Sequence, residues 1–265
     1  MNIEKAIKFV RDNGDEVDQA RLHYILTCAP PSKKIMARHF AAQRSDGGWS
    51  AFWAHGYSSL DATCFRLAQA EQLGITASEA AVIRASNFLA QRQFSDGSWE
   101  EDQSLAEFAP PWVKPGNLSA TLYWTANCGF WLAILDNPEN SSIRAAEYLQ
   151  THLGADGQLP SFLHAHWLAG GLLYKLNWQE SAKRVFEYLS KRVNDLSASN
   201  LAWMITTMQT AGVPANHYLV ENALILLEQS QHHDGYWENE DGADQNVHST
   251  LEALRALQLC RWAGK

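Results

Sequence analysis

The chain is poor in the residues that would tie it to several large classes of protein. Only 4 of its 265 residues are cysteine, and Cys28, Cys64, Cys128 and Cys260 lie far apart with no Cys-x-x-Cys pair. That excludes a disulfide framework and reads as buried thiols in a reducing cytoplasm. Basic residues are outnumbered, 21 against 29 acidic, for a net charge of -8. Non-specific nucleic-acid binding needs a basic field, so no nucleic-acid partner is expected. No run of 18 or more apolar residues is free of polar breaks, so no spanning helix is expected. The amino terminus lacks an apolar stretch, and no signal peptide is expected there. There is no Pro/Ser linker or composition break, which favours one domain over 1–265. A phosphate-binding glycine loop, HExxH, Gly-x-Ser-x-Gly and an aspartate-rich diphosphate motif are all missing.

What the chain has is hydrophobic bulk and a repeat. Hydrophobic residues make up 46%, with 11 Trp, 8 Tyr and 10 Phe. Gln43–Trp49, Gln93–Trp99 and Gln231–Trp237 each read Gln-x3-Gly-x-Trp. Recurrence of this kind marks a chain built from one unit. Asp-Gly supplies the turn, Gln can bond orphan backbone groups at a helix end, and Trp can cover the junction. A fourth copy, at Asp156-Gly157, has no Trp.

Around these turns the pattern is helical. Ala182, Val185, Phe186 and Leu189 form the i, i+3, i+4, i+7 stripe of an amphipathic helix. Similar half-polar helices are expected near 2–12, 32–43, 78–92, 140–152 and 216–231. Residues 118–135 and 199–213 are uncharged, as are 162–174 with His neutral. A helix apolar all round is buried all round. Weaker members of this buried set are expected near 19–28, 57–73 and 246–262. Six polar-faced helices thus alternate with six buried ones, which predicts an all-α fold of six helical hairpins, an (α/α)6 barrel or toroid. A linear solenoid is the competing geometry. The stretch 100–117, with three prolines, cannot be a continuous helix and is read as a binding loop or a tolerated insertion. Within it Glu100-Glu101-Asp102 is expected to be a solvated charge cluster. Phe108, Pro110, Pro111 and Trp112 could form a small apolar patch able to touch a membrane.

The three Gln-x3-Gly-x-Trp copies resemble the QW repeats of the squalene–hopene and oxidosqualene cyclases, and more broadly the terpenoid cyclase and protein prenyltransferase toroid superfamily. The resemblance spans nearly the whole chain as one toroid; full triterpene cyclases have two. It implies a central apolar cavity, an isoprenoid-like substrate and cyclisation started by protonation, with no cofactor and no metal. The cyclase general acid is an Asp in an Asp-x-Asp-Asp-Thr or Asp-Cys-Thr context. Aligning on Thr63 puts Asp61 at that position, with Ser59 and Ala62 replacing its neighbours. The other reading of Asp61 is a helix cap.

Phe65, Tyr123, Trp124, Trp167 and Trp203 are the expected substrate-binding aromatics, since ring faces stabilise cations; the competing role is core packing. His164 and His166 sit on different faces of one helix start, where one could serve a ligand and either could be structural. His248, in Asp244–Thr250, resembles a zinc-binding histidine of the prenyltransferases, but their Asp-x-Cys pair does not occur here. The expected function is therefore a cytoplasmic terpenoid cyclase-like enzyme. The alternatives are a non-catalytic module binding a ligand or partner protein, and a prenyltransferase-like subunit. A carbohydrate-active α/α barrel is more remote, since sugar grooves usually need paired carboxylates.

Overall fold

The computed structural model describes residues 1–137 and 140–261. Twelve α-helices occur among them. They are α1 (Ile3–Asn13), α2 (Glu16–Thr27), α3 (Lys33–Phe40), α4 (Leu60–Glu71), α5 (Ala80–Gln91) and α6 (Leu118–Ile134). α7 (Ser141–His152), α8 (Leu163–Lys175), α9 (Gln179–Ser190), α10 (Ala198–Thr210), α11 (Tyr218–Gln229) and α12 (Asn246–Arg261) follow. The fold is all-α, as the periodicity predicts. None of these helices is long and apolar enough to cross a membrane.

The chain divides into two compact units. The first comprises Met1–His39, Gln72–Gly74 and Leu189–Lys265, and the second Phe40–Glu71 and Ile75–Tyr188. In the first, α12 packs against α10, α2 and α1, and every residue from Ser249 to Gln258 is buried. In the second, α6 packs against α8, α7, α4 and α5, and every residue from Ala120 to Ala133 is buried. Burial on all sides is what a charge-free segment demands. The polar-faced helices behave as their stripes require: in α9, Ala182, Val185, Phe186 and Leu189 are buried while Lys183 and Glu187 are exposed.

The repeated motif makes the same bonds in each copy. Gln43 Nε2 donates to the carbonyls of Gly47 (2.8 Å) and Ala81 (2.8 Å). Gln93 Nε2 donates to Gly97 (3.0 Å) and Ser141 (2.9 Å), and Gln231 Nε2 to Gly235 (2.7 Å) and Asn2 (3.0 Å). One amide thereby joins a tight turn to the first residues of α5, α7 or α1. The turn glycine is required: Gly97 has φ +94°, and a Cβ there would lie 2.4 Å from the Arg144 carbonyl oxygen. The Trp backbone N–H then docks on a threonine of a buried helix, Trp49 on Thr63, Trp99 on Thr125 and Trp237 on Thr250, at 3.1–3.3 Å. Each threonine hydroxyl donates back to the carbonyl four residues earlier, at 2.7 Å.

Gln93→Ala should cost about 2 kcal/mol, because it orphans two carbonyls and the Arg144 guanidinium that bonds Gln93 Oε1. Urea unfolding measures it; a loss below about 0.5 kcal/mol, the scale of an ordinary surface change, would mean that the glutamine does not hold the junction.

One expected helix begins later than its sequence pattern suggests. Residues 57–59, expected as helical, belong to strand β2 (Ala54–Ser59), which pairs antiparallel with β1 (Trp49–Ala51). Gly56, at φ +87°, lies within the ribbon. α4 starts only where the Ser59 hydroxyl can accept from the Ala62 N–H (3.0 Å).

Candidate active site at the start of α4

Helix α4 opens with two free backbone N–H groups that need acceptors. Asp61 does not serve them. Both Leu60 N (2.8 Å) and Asp61 N (3.3 Å) donate to Oε1 of Glu101, a residue 40 positions further along the chain. Glu101 is therefore not a solvated loop charge: its side chain is 2% exposed. The loop turns inward because Leu105 packs with Ala51, Ala54 and Trp53 of the ribbon. Its neighbours are engaged differently. Glu100 accepts from Thr121 Oγ1 (2.5 Å) and Gly116 N (3.0 Å), and Asp102 caps a short 3-10 turn through Ser104 N (2.9 Å).

Relieved of capping, the Asp61 carboxylate accepts from the indole N–H of Trp53 (3.2 Å), and the Trp112 side chain also favours its charged form. Protein surrounds it, yet the residue keeps partial exposure. Burial raises its pKa above the ordinary carboxylate value, and the two indoles oppose that shift. Glu101 is raised too, up to about 8; burial is the main cause, the neighbouring Asp61 charge adds to it, and the backbone N–H bonds work against it. Two carboxyls thus share one helix start in surroundings that favour their neutral forms.

The repeat register relates the other candidates to this position. Asp61, Tyr123 and His248 each stand two residues before the threonine that accepts a Trp N–H. His164 has the same relation to His166, which does the threonine's work in the fourth copy. His166 Nε2 accepts from Leu159 N (3.0 Å), and its Nδ1 lies 3.1 Å from the carbonyl of Phe162, four residues earlier. The imidazole is 1% exposed and stacks on Tyr188 at 4.6 Å. His166 therefore holds the fold, and His164 takes the register of Asp61.

Tyr123, Trp124, His164 and Trp167 form one aromatic group on α6 and α8. Ring centroids are 4.6 Å apart for Tyr123–Trp124, 6.2 Å for Tyr123–His164 and 4.9 Å for His164–Trp167. The Tyr123 hydroxyl is raised well above its ordinary pKa by burial and then by the charges of Asp61 and Cys64, while the Asn127 side chain opposes that shift. The aromatic group thus lies within electrostatic reach of the Asp61 carboxyl. Phe65, one turn beyond Asp61 on α4, is 42% exposed. Trp112 and Phe108 in the loop, and Phe52 at the ribbon tip, are exposed too.

Trp203 and His248 belong to the first unit. Trp203 is half-buried on α10. His248 is held in a polar network: its Nδ1 lies 3.0 Å from Arg21 Nη2, Arg21 bonds Gln72 and Asp18, and Gln72 bonds Glu252. Burial and the Arg21 charge depress His248 to about 3. The same guanidinium opposes a cation at this imidazole, so His248 does not fit the zinc-ligand role that its motif resembles. Among the described residues, the one group that gathers three potential metal ligands is His232, His233 and Asp234, on the turn after α11.

Comparison with solved structures places this fold. A protein from Actinoplanes is similar over 97% of this chain and 98% of its own, at 16% identity and a TM-score of 0.65. The type II terpene cyclase MstE from Scytonema, in its apo form, is similar over 92% of this chain and 87% of its own, at 15% identity and a TM-score of 0.59. MstE R337A, bound to its substrate geranylgeranyl dihydroxybenzoate, is similar over 93% of this chain and 88% of its own, at 15% identity and a TM-score of 0.56. At these identities the likeness is one of fold. No protein-family model and no curated protein sequence matches the chain.

Proposed function

We propose that this chain is a terpenoid cyclase-like enzyme that takes an apolar, isoprenoid-like substrate, with Asp61 as the acid that starts the reaction. The observation that carries this reading is the environment of Asp61: a carboxyl spared from capping, kept toward its neutral form by burial, and bonded by the indole N–H of Trp53. An acid for an alkene needs a proton held in an apolar setting and an anion stabilised once the proton has left. The indole N–H of Trp53 supplies the second requirement. The shared fold with MstE, which binds a geranylgeranyl compound, supports the substrate class.

In this reading the Asp61 O–H bond breaks and its proton forms a C–H bond with the π electrons of a terminal alkene. The positive charge left on the adjacent carbon is attacked by the next double bond. The faces of Tyr123, Trp124 and Trp167 stabilise the moving charge through their ring quadrupoles. Loss of a proton from carbon ends the sequence, so the product is an isomer of the substrate. No redox cofactor enters that balance. One toroid spanning 1–265, placed in the cytoplasm, completes the proposal.

Incubation of the purified chain with polyprenyl substrates of several lengths, followed by mass spectrometry, tests it. A product of unchanged mass and altered retention is expected. Tight binding with no such product would favour the non-catalytic binding module instead.

A further inference from the structure

The turn of Gln231–Trp237 departs from its counterparts at the aspartate. In the other turns this residue folds back on its own backbone: Oδ1 of Asp46, Asp96 and Asp156 each accepts from the N–H two residues on, at 3.0–3.1 Å. Asp234 makes no such bond to Tyr236. Its Oδ2 lies instead 3.5 Å from His232 Nδ1, and its Oδ1 3.4 Å from His233 Nε2. One ligand atom from each of the three side chains falls within 4.8 Å of the other two.

The turn itself does not ask for histidine. The two positions hold Arg44 and Ser45 in the first copy and Phe94 and Ser95 in the second. The His232 ring is nonetheless held in place. It stacks on Tyr236 at 4.3 Å, and Tyr236 packs on Phe9 of α1 at 4.8 Å. The Asp234 N–H donates to His232 Nδ1 (3.2 Å), so that nitrogen carries a lone pair and not a proton.

This spacing suits a metal ion. Ligands about 2.1 Å from a zinc ion, set at tetrahedral angles, stand about 3.4 Å apart. Both histidine–aspartate separations meet that value. Two imidazoles and one carboxylate suit zinc and its neighbours in the transition series, whereas calcium and magnesium seek oxygen. The side chains of His233 and Asp234 are exposed, which leaves the remaining coordination positions to water. Lys5 Nζ bonds the His233 carbonyl (2.8 Å). That charge is exposed, so solvent screens it, unlike the buried Arg21 guanidinium at His248.

We propose that His232, His233 and Asp234 bind one divalent transition-metal ion such as zinc, on the turn that Gln231 joins to Asn2 ahead of α1. This site lies outside the isoprenoid reading and stands or falls without it.

Calorimetric titration of zinc chloride into the full chain, first stripped of metal with a chelator, tests it near neutral pH. One site of roughly micromolar affinity is expected. His233→Ala and Asp234→Asn should each weaken it by at least about tenfold, since even groups that only bond a metal's ligands are worth that much. Both side chains are exposed, so both variants should unfold like wild type in the absence of metal. Calcium chloride should bind far more weakly than zinc. No zinc binding in the micromolar range overturns the proposal. So does zinc binding that both variants keep unchanged, or calcium binding as tight as zinc.

Discussion

Replacing Glu101 with Gln should make the protein more stable in alkaline solution and flatten its stability between pH 4.5 and 8. The ordinary value for this carboxyl is 4.5, and the folded protein raises it to about 8. Between these values the folded state binds a proton that the unfolded state has released. Stability therefore falls as pH rises through that window, and above pH 8 the full cost of burying the anion is present. A shift of this size corresponds to about 5 kcal/mol. Gln keeps an Oε1 acceptor for the N–H groups of Leu60 and Asp61 and has no proton to lose. Urea unfolding at pH 5 and pH 9 measures the effect. The wild type should lose several kcal/mol more than Glu101→Gln between the two pH values. Parallel pH dependence in the two proteins would show that Glu101 is ionised in the fold at neutral pH.

Asp61→Asn should lower turnover by roughly 100- to 10,000-fold, the range that a positioned general acid contributes. Ligand affinity should stay within a few-fold of wild type. The carboxamide oxygen can still accept from Trp53, and no backbone cap is lost, since Glu101 and Ser59 provide the caps. Folding should be equal or slightly improved, because a neutral side chain replaces one whose charged form is disfavoured by burial. Parallel stopped-assay kinetics and thermal unfolding separate the two effects. A variant that turns over substrate at the wild-type rate removes Asp61 from the chemistry, and one that unfolds instead assigns it a structural role.

The helices were legible because hydrophobic period and charge are local properties. The uncharged stretch 118–135 had to be buried on every side, and α6 is. The three Gln-x3-Gly-x-Trp copies announced their junctions because a turn glycine and a bridging amide lie four residues apart in the chain. Less was visible at the site. Glu101 looked like surface charge in a proline-broken loop; its capping of α4 joins residues 40 positions apart and leaves no periodic trace. The ribbon of β1 and β2 was missed because residues 57–59 run straight into a helical pattern, and three residues are too few to reveal a period of two. His164 and His166 were placed on different faces of one helix start, with nothing in their spacing to say which was structural. The missed signal was register: His166 follows the fourth turn where the other copies place Thr63, Thr125 and Thr250, and that alignment separates the structural histidine from the candidate one.

The central claim is that a proton from Asp61 starts the reaction, and turnover in deuterium oxide addresses it most directly. The Asp61 carboxyl exchanges with solvent, so the wild-type product should gain a single deuterium at the carbon protonated first, and Asp61→Asn should yield roughly a hundredth of that product or less. A product formed without deuterium at that carbon, or formed equally by both proteins, would contradict the account.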